Sequence, residues 1–530
     1  MLRQVLTMKA YFLVVLVCVL YASYVSSARI LAVLPFPGRS HYIYHISVLK
    51  ALAESGHQIV EYSPFPPKQA IANHTHVYLH TSFNTKLGNR RFEDMPKHSE
   101  QLTNYFGLIW LNIWNLLYPI CRETFENENI KKLLQSNEHF DLVVTSSTFG
   151  QESMLVFGHK FKAPTVTLQG NLHSMMLNRD AGNDLVMATI PDSFSFAFSD
   201  RMTFTERLRN FVSTSVTLFL YYFSHLPKHN KLLEMYYASD SVSVGELTTN
   251  VSLTLVNTHP AVFYPHPFTP NIIPIAGIVI DPKKPPLPKD IQTFMDNAKE
   301  GVVYFSFGTV IPTHTMPEAM LNMFMTVFKK LPQKVLWKIE ADKLPEMSQN
   351  VKLVKWAPQL GVLEHPNCAV FVTHGGLSSQ IEAIHAGVPT VGIPFFSDQF
   401  FNIRFNEERE IGVKVDFKTL SEDKLHFALE RVLNNFKYRE NARRLSSIFR
   451  DTPSSPTTSA VYWVDYVLRH NGASHLRPAA SRMALYQLML LDVAGVVILA
   501  TFTIGIALCW LCKSIGSFCG KSMNLDKKNK

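Results

Sequence analysis

The sequence predicts an α/β protein with two doubly wound, parallel-sheet domains and a C-terminal transmembrane helix. The first observation is a β-rich run over 29–36, followed by apolar residues at helical spacing over 41–55 and a second strand pattern over 58–62. A strand, a helix and a returning strand make a βαβ unit, whose strands run parallel. The second observation is that this alternation restarts after a proline-dense run, 265–288, and the third is an uncharged apolar run over 493–512.

Residues 1–28 have the layout of a cleaved signal peptide. Arg3 and Lys9 make its start basic, an apolar run covers 11–22, and small residues follow it. A basic start, a short apolar stretch and a small-residue cleavage site are typical of secretory signals rather than of a core. We therefore expect the mature chain to begin near Ala28.

The rest of the chain divides by composition into two domains, a linker and a membrane anchor. Prolines punctuate the linker, and the apolar run near the end is long enough to cross a bilayer as a helix. The predicted segments are 29–264 (N-terminal domain), 265–290 (linker), 291–458 (C-terminal domain), 459–483 (returning helix and juxtamembrane segment), 484–512 (transmembrane helix) and 513–530 (basic tail).

A signal peptide followed by a single span predicts a type I membrane protein with a lumenal body and a cytosolic tail. The formal net charge of +9 comes partly from the tail and the signal segment, and a lumenal body meets no nucleic acid. Nucleic-acid partners are therefore excluded. Cys121 and Cys368 are too few for a disulfide framework or a zinc site, and Asn73 and Asn250 begin glycosylation sequons.

Polar residues follow several strands of the predicted C-terminal domain. The stretch FVTHGGLSSQIEAIHAGVP, 371–389, reads as a strand, a double-glycine turn and a short helix, whose unpaired N–H groups suit an anion. The carboxyl ends of parallel strands meet at one edge, where such sheets bind ligands. The candidates there are Ser306, Trp356, Ala357, Gln359, His374, Gly376, Ser378, Asp398 and Gln399.

The spacing of WAPQLGVLEHPNCAVFVTHGGLSSQIEAIHAGVPTVGIPFFSDQFFN, 356–402, resembles the signature of the UDP-glycosyltransferases. The likeness extends to PFPGRSHY, SDRMTFTERLRN, VYFSFGT and the membrane anchor, and it is greatest to the animal microsomal branch, particularly its insect members. The resemblance implies a GT-B type fold of two Rossmann-like domains. It also implies that the N-terminal domain takes the acceptor, that the C-terminal domain takes the UDP-sugar, and that transfer needs no metal or other cofactor.

By position, the resemblance assigns each donor-site residue a role. Trp356 stacks on uracil, Ala357 contacts its edge, and Gln359 and Glu382 hold the ribose. The residues that contact the diphosphate are Ser306, His374, Gly376 and Ser378. The residues that contact the sugar hydroxyls are Asp398 and Gln399. Relatives more often have Asn at position 378, so Ser378 is a weaker phosphate donor.

Several of these residues also have a purely structural interpretation. Ser379 and Glu382 have the spacing of a capping box, and Asp398 stands where a helix cap would. Trp356 taken alone fits a half-buried core aromatic as well as a stacking platform.

The resemblance places the catalytic base in the first βα loop, where this chain has His41. Histidine suits the removal of a hydroxyl proton at neutral pH. Many relatives orient this histidine with an acid, but counting along FDLVVTSSTFGQES puts Ser146 at that position. A serine cannot stabilise the imidazolium as a carboxylate would. Glu152, further along, is an acid whose relation to His41 the sequence leaves open.

The leading hypothesis is an inverting transferase that moves a hexose from UDP-glucose or UDP-glucuronate to a small lipophilic acceptor in the endoplasmic reticulum, with homo-oligomers allowed. The apolar segments 108–120 and 211–223 would line the acceptor pocket or touch the membrane, or be ordinary buried helices. A second hypothesis is a UDP-sugar-binding or lipophile-binding protein whose catalysis is impaired by Ser146. A third is another sugar-nucleotide enzyme on the same scaffold.

Overall fold

The structure, a computed structural model, describes residues 27–82, 91–94, 108–147, 149–170, 174–237, 242–281, 286–340 and 348–528. All but the last two residues of the predicted signal peptide lie outside these ranges. The chain divides into two units after Arg477, and each is described by itself.

Seven parallel strands form the first sheet of the larger unit. Their order is β3-β2-β1-β4-β5-β6-β7, and the strands are β1 (Arg29–Val33), β2 (Gln58–Ser63), β3 (His74–Tyr78), β4 (Leu142–Thr145), β5 (Thr165–Gln169), β6 (Leu253–Val256) and β7 (Ile272–Pro274). Valine, leucine and isoleucine dominate the central strands, which are buried on both faces as parallel sheets require. The predicted βαβ opening is confirmed.

The helices of this first part cover both faces of the sheet. They are α1 (Arg39–Glu54), α2 (Leu108–Glu126), α3 (Glu128–Gln135), α4 (Val156–Phe161), α5 (Met175–Asp180), α6 (Phe204–Leu220), α7 (Leu226–Tyr236) and α8 (Val244–Thr249). A π-helical turn, Tyr221–His225, joins α6 to α7, and a short 3₁₀ helix, Glu152–Leu155, follows β4.

The predicted linker, 265–290, contains one short strand and the first residues of a helix. Ile272–Pro274 forms β7, which pairs with β6 at the edge of the first sheet, and the following helix already starts at Lys289. An edge strand tolerates proline because it needs no N–H group on its outer side. The proline-dense run thus completes the first sheet before it crosses to the second.

Six parallel strands form the second sheet. Their order is β10-β9-β8-β11-β12-β13, and the strands are β8 (Val302–Ser306), β9 (Lys334–Lys338), β10 (Val351–Val354), β11 (Cys368–Thr373), β12 (Thr390–Gly392) and β13 (Gly412–Lys414). The accompanying helices are α9 (Lys289–Asp296), α10 (Glu318–Lys329), α11 (Gln359–Leu363), α12 (Leu377–Ala386), α13 (Gln399–Glu408), α14 (Glu422–Asn434) and α15 (Phe436–Arg450). The predicted restart of the α/β pattern is confirmed.

The helix predicted over 459–470 spans Pro456–Arg469 and is α16. It follows the second sheet in the chain but packs on the first. Ala460, Val464 and Val467 are fully buried in one cluster with Leu49 of α1. His57 Nε2 lies 3.0 Å from Asp465 Oδ1 at the same interface.

The smaller unit contains α17 (Leu485–Leu488) and the long helix α18 (Leu491–Lys528). The segment Leu491–Ser517 of α18 is long and apolar enough to cross a membrane. Its most apolar stretch has a mean hydropathy of 2.3 and contains no buried residue. The predicted span, 484–512, overlaps this segment. Leu490, with φ 52°, separates the two helices.

Each sheet has one point where the strand order reverses direction. In the first sheet this switch point lies between β1 and β4, and in the second it lies between β8 and β11. The loops that leave such adjacent strands in opposite directions open a crevice at the carboxyl edge, where ligands of open α/β sheets bind. His41 and Ser146 follow the first pair of strands, and Ser306 and His374 follow the second.

Candidate active site

His374 lies directly after β11 at the switch point of the second sheet, enclosed by two glycines. A Cβ atom at Gly308 would come within 2.7 Å of His374 Cε1, and one at Gly376 within 2.6 Å of His374 Nε2. Burial, with Lys338 nearby, lowers the pKa of His374 to about 4. Its Nδ1 atom is buried and has no hydrogen-bond partner in the described part of the chain. The ring is therefore neutral at pH 7.

The helix after this histidine presents free backbone donors. Gly376 is the N-cap residue of α12, and among the described residues no side chain caps it. Ser378 is partly buried in the first turn, and Ser306, at the end of β8, is buried with its Oγ accepting from Gly308 N at 3.2 Å. Unpaired N–H groups and the helix dipole together attract an anion. The structure brings these four predicted diphosphate residues to one edge.

Gln359 and Glu382, both predicted to hold the ribose, contact each other. Gln359 Nε2 donates to Glu382 Oε2, and also to Ser379 Oγ at 3.0 Å. Loss of hydration raises the pKa of Glu382 to about 7. The capping-box interpretation is wrong, because the N-cap is Gly376 and Ser379 lies inside α12.

Asp398 is the N-cap residue of α13, yet its side chain makes no capping hydrogen bond within the described residues. It accepts instead from Asn402 Nδ2 at 3.0 Å, and Asn402 Nδ2 also donates to the carbonyl of Gly375 at 2.9 Å. Burial raises the pKa of Asp398 to about 6. The residue therefore belongs to a network that joins α13 to the glycine turn rather than to a helix cap.

Gln399 has a structural task next to that network. Its Oε1 accepts from Phe395 N at 2.8 Å and from Phe396 N at 3.2 Å, which holds the loop after β12. These bonds use the amide oxygen and not Nε2, and the sugar-binding role of Gln399 stays a prediction.

Trp356 is 51% exposed, while Ala357 beside it is buried. Lys68 Nζ lies 4.6 Å from the centroid of the indole, and Lys338 Nζ lies 5.4 Å from it. Trp356 belongs to none of the hydrophobic core clusters of the described residues, which argues against its interpretation as a core aromatic. The ring is an open platform flanked by cations.

Lys338 is a site residue that the sequence analysis missed. Its Nζ donates to the carbonyl of Gly308 at 2.7 Å, and burial lowers its pKa. A positive charge beside His374 and Trp356 can neutralise a diphosphate without a metal ion. The signal was present in the sequence, because Lys338 is a charged residue that directly follows the apolar core of its strand, Val335 to Trp337.

His41 lies in the first turn of α1, at the switch point of the first sheet. Its ring centroid is 5.0 Å from that of Phe36 and 5.2 Å from that of Phe149. Burial lowers the pKa of His41 to about 4. Its Nε2 is buried without a hydrogen-bond partner among the described residues, and Ser40 Oγ is 3.4 Å from Nδ1. The imidazole is thus neutral and held by aromatic rings.

Ser146 is buried directly after β4, and Thr145 before it pairs with Val33 of β1. This register puts the position of the expected acid at the same edge as the loop to His41. Glu152 does not replace that acid, because its Oε2 lies 2.8 Å from His225 Nε2. Its carboxylate instead forms a buried pair with His225.

A small cavity lies beside the first switch point. Its walls are largely aromatic and apolar, with a few polar groups. The lining includes Trp110, Trp114, Phe149, Glu152, Met176 and Leu177. Phe149 therefore contacts both His41 and the cavity. In the other predicted apolar segment, Phe211, Phe219 and Phe223 are 50 to 72% exposed, so these side chains are not buried in a helix core.

Solved structures with the same architecture establish the fold. A UDP-glucosyltransferase from Polygonum tinctorium that glucosylates indoxyl matches with a TM-score of 0.55 and 14% identity over 84% of this chain and 99% of its own. A UDP-glucose:anthocyanidin 3-O-glucosyltransferase in complex with UDP matches with a TM-score of 0.53 and 17% identity over 83% and 99%. Two parallel α/β sheets arranged in this way are the GT-B fold of glycosyltransferases.

The sequence comparisons then establish the family. The family profile described as UDP-glucoronosyl and UDP-glucosyl transferase matches residues 28–528. UDP-glycosyltransferase UGT5 of Dactylopius coccus is 34% identical over 93% of this chain and 95% of its own, and UDP-glucuronosyltransferase 2B33 of Macaca mulatta is 31% identical over 88% and 89%. The chain belongs to the UDP-glucuronosyl and UDP-glucosyl transferase family and is a UDP-glycosyltransferase.

Proposed function

We propose that the protein transfers glucose, with glucuronate as the alternative, from its UDP-sugar to a hydroxyl group of a small lipophilic acceptor. The observation that carries this proposal is the placement of one neutral histidine at each switch point, with phosphate-binding groups around one and aromatic rings around the other. His41 would take the acceptor proton, and direct attack on C1 would invert its configuration.

The donor would bind along the carboxyl edge of the second sheet. Uracil would stack on Trp356, the ribose hydroxyls would bond to the Gln359–Glu382 pair, and the diphosphate would lie at the start of α12. Lys338 adds a cation there, which supports transfer without a metal ion.

The acceptor would enter the cavity beside Phe149, whose walls favour planar apolar molecules. Glucose is favoured because a relative from Dactylopius coccus, 34% identical over 92% of this chain, is named UDP-glucosyltransferase 2. Reactions of this class make lipophilic compounds soluble, so the role fits detoxification.

The experiment incubates the full chain in detergent with UDP-glucose or UDP-glucuronate and a panel of phenols. Formation of a glycoside together with an equal amount of UDP supports the proposal, and the better donor identifies the sugar. UDP binding without transfer to any acceptor would favour a binding protein, the alternative that Ser146 motivates.

The proposed location is the endoplasmic reticulum membrane, with a lumenal body and α18 as the span. The sequon residues Asn73 and Asn250 are exposed, as glycosylation requires. The paired lysines Lys527 and Lys528 would act as a retrieval signal. Changing both to Ser should let a fraction of the protein leave the endoplasmic reticulum, which would be visible as mature glycans on Asn73 or Asn250. If the glycans of this variant stay immature, the two lysines are only part of the basic flank of the membrane span and not a retrieval signal.

A further inference from the structure

Three side chains that the proposed transfer does not use meet inside the first α/β domain. Glu152, His225 and His229 are 2%, 3% and 0% exposed. His225 Nε2 lies 2.8 Å from Glu152 Oε2, and one potential ligand atom from each of the three residues lies within 4.8 Å of the others. A buried carboxylate thus faces two buried imidazoles.

The backbone brings the two imidazoles to one face of a helix. His225 ends the π-helical turn and His229 follows four residues later in α7, with 4.5 Å between their ring centroids. Side chains four residues apart are neighbours on a helix, and π-helical turns recur at functional sites. Glu152 reaches them from the 3₁₀ helix after β4.

Neighbouring side chains fix the orientation of both rings. Trp114 stacks on His225 with 4.5 Å between centroids and 24° between planes. His229 Nδ1 bonds to Ser153 Oγ at 3.0 Å, and its Nε2 is buried with no hydrogen-bond partner in the described chain. An unpaired buried nitrogen costs free energy unless a ligand uses it, and a bonded Nδ1 is how proteins aim Nε2 at a metal.

We propose that Glu152, His225 and His229 bind a zinc ion. Two histidines and one glutamate are an established zinc ligand set, which leaves a fourth position for water. Zinc bonds of about 2.0 to 2.2 Å place the ligand atoms roughly 3.3 Å apart, so the present spacing needs only small ring and carboxylate movements. Glu152 also lines the cavity beside Phe149.

This inference goes beyond the proposed function, because the ion takes no part in sugar transfer. It would join the loop after β4 to α7, two segments separated by more than 70 residues of sequence. That loop carries Phe149, which contacts His41. The ion would therefore stiffen the wall of the cavity on the side of the base.

The test is metal analysis of the full chain, purified in detergent with a histidine-free tag and no chelator. We expect about one zinc per chain, and its loss in Glu152→Gln and in His229→Gln. His385→Gln is the matched control, because His385 Nε2 lies 3.1 Å from Glu364 Oε1 in a comparable pair without a second histidine. The control should keep its zinc, and the far-UV circular dichroism spectrum of each variant reports that it is folded.

Cobalt gives a second readout that needs no variant. Removing zinc with dipicolinate should lower the unfolding temperature, and adding Co²⁺ should restore it and produce the visible absorption of a four-coordinate ion. A parent protein that holds no zinc and gives no such absorption would overturn the proposal, as would zinc that persists in both site variants. The three residues would then be a buried hydrogen-bond network.

Discussion

At the switch point of the first sheet, His41 lies against the rings of Phe36 and Phe149, whereas at the second, His374 lies between two glycines beside Lys338. Both histidines are neutral because burial lowers each pKa to about 4. The surroundings of the two histidines differ in the kind of ligand that they can accept. In the proposed function, small residues and free N–H groups would admit a charged diphosphate to the second site, while aromatic walls would admit an apolar molecule to the first.

The comparison teaches that one topology can hold two ligands of opposite character. The reversal of strand order supplies a crevice in each sheet, and the side chains after the strands decide what enters it. Each substitution described next changes one crevice, and the measurements show whether the other crevice is affected.

Removing His41 should have the largest effect. His41→Ala should lower the rate of transfer by about 10²- to 10⁴-fold, the usual contribution of a general base, with UDP affinity unchanged. His45→Gln is the control, because His45 lies one turn later on the same helix and is buried too. Kinetics with a phenol and calorimetry with UDP measure the two quantities. Equal losses in both variants would argue that packing of α1, not proton transfer, is at stake.

Removing His374 should affect the other crevice. His374→Ala should weaken UDP binding by about 1.5 to 3 kcal/mol, the scale of a hydrogen bond to a charged group. Gly376→Ala should do the same by displacing the ring, whereas Gly245→Ala should not, because its nearest neighbouring atom is 3.8 Å away. UDP titration of the three variants is the measurement. Unchanged affinity in the first two would remove the diphosphate assignment.

Adding an acid behind His41 should change the first crevice and leave the second unaffected. In Ser146→Asp the carboxylate should favour the imidazolium, so the pKa of His41 should rise from about 4 and transfer should quicken by up to about tenfold. Ser146→Asn, which adds similar bulk without charge, is the control.

The pH profile gives the sign of this effect. The base must be neutral, so the parent rate should fall only as the pH drops through about 4 and stay flat from pH 6 to 8. The acidic limb should move to higher pH in Ser146→Asp. A folded variant with neither a faster rate nor a shifted limb would show that this position does not support the base.

The smallest effects concern the two lysines at Trp356. Lys338→Met should weaken UDP binding by about 1 kcal/mol, whereas Lys68→Met should change it by less than about twofold. Lys338 is buried beside His374, but Lys68 is exposed and water screens its charge. A comparison of the two UDP affinities checks this, and a larger loss for Lys68→Met would reverse the ranking.

The second crevice was easier to predict from the sequence than the first. Its residues from Trp356 to Gln399 lie within one short stretch, and glycines mark the close approach around His374. The sequence analysis missed Lys338, because a single lysine that ends a strand normally reaches solvent.

The first crevice depends on contacts between distant segments. No spacing in the sequence indicated that Phe149 would contact His41 or that Glu152 would bond to His225 across 73 positions. The two histidines four residues apart were a visible signal, but their helical register depends on a π-helical turn, which local sequence patterns do not reveal. The edge strand β7 escaped prediction for a related reason, since its proline, Pro274, is tolerated because β7 is the edge strand of the sheet in the described part of the chain.

The return of α16 onto the first sheet has a consequence for recombination between relatives. A chimera that joins the first half of one enzyme to the second half of another would bring a foreign α16, with its own versions of Ala460, Val464 and Val467, against the native α1. Half-exchange at the linker therefore tests core compatibility as much as substrate choice. A chimera that switches back to the first parent at Ser455 would keep that contact native, so acceptor preference could be inherited cleanly with the first sheet.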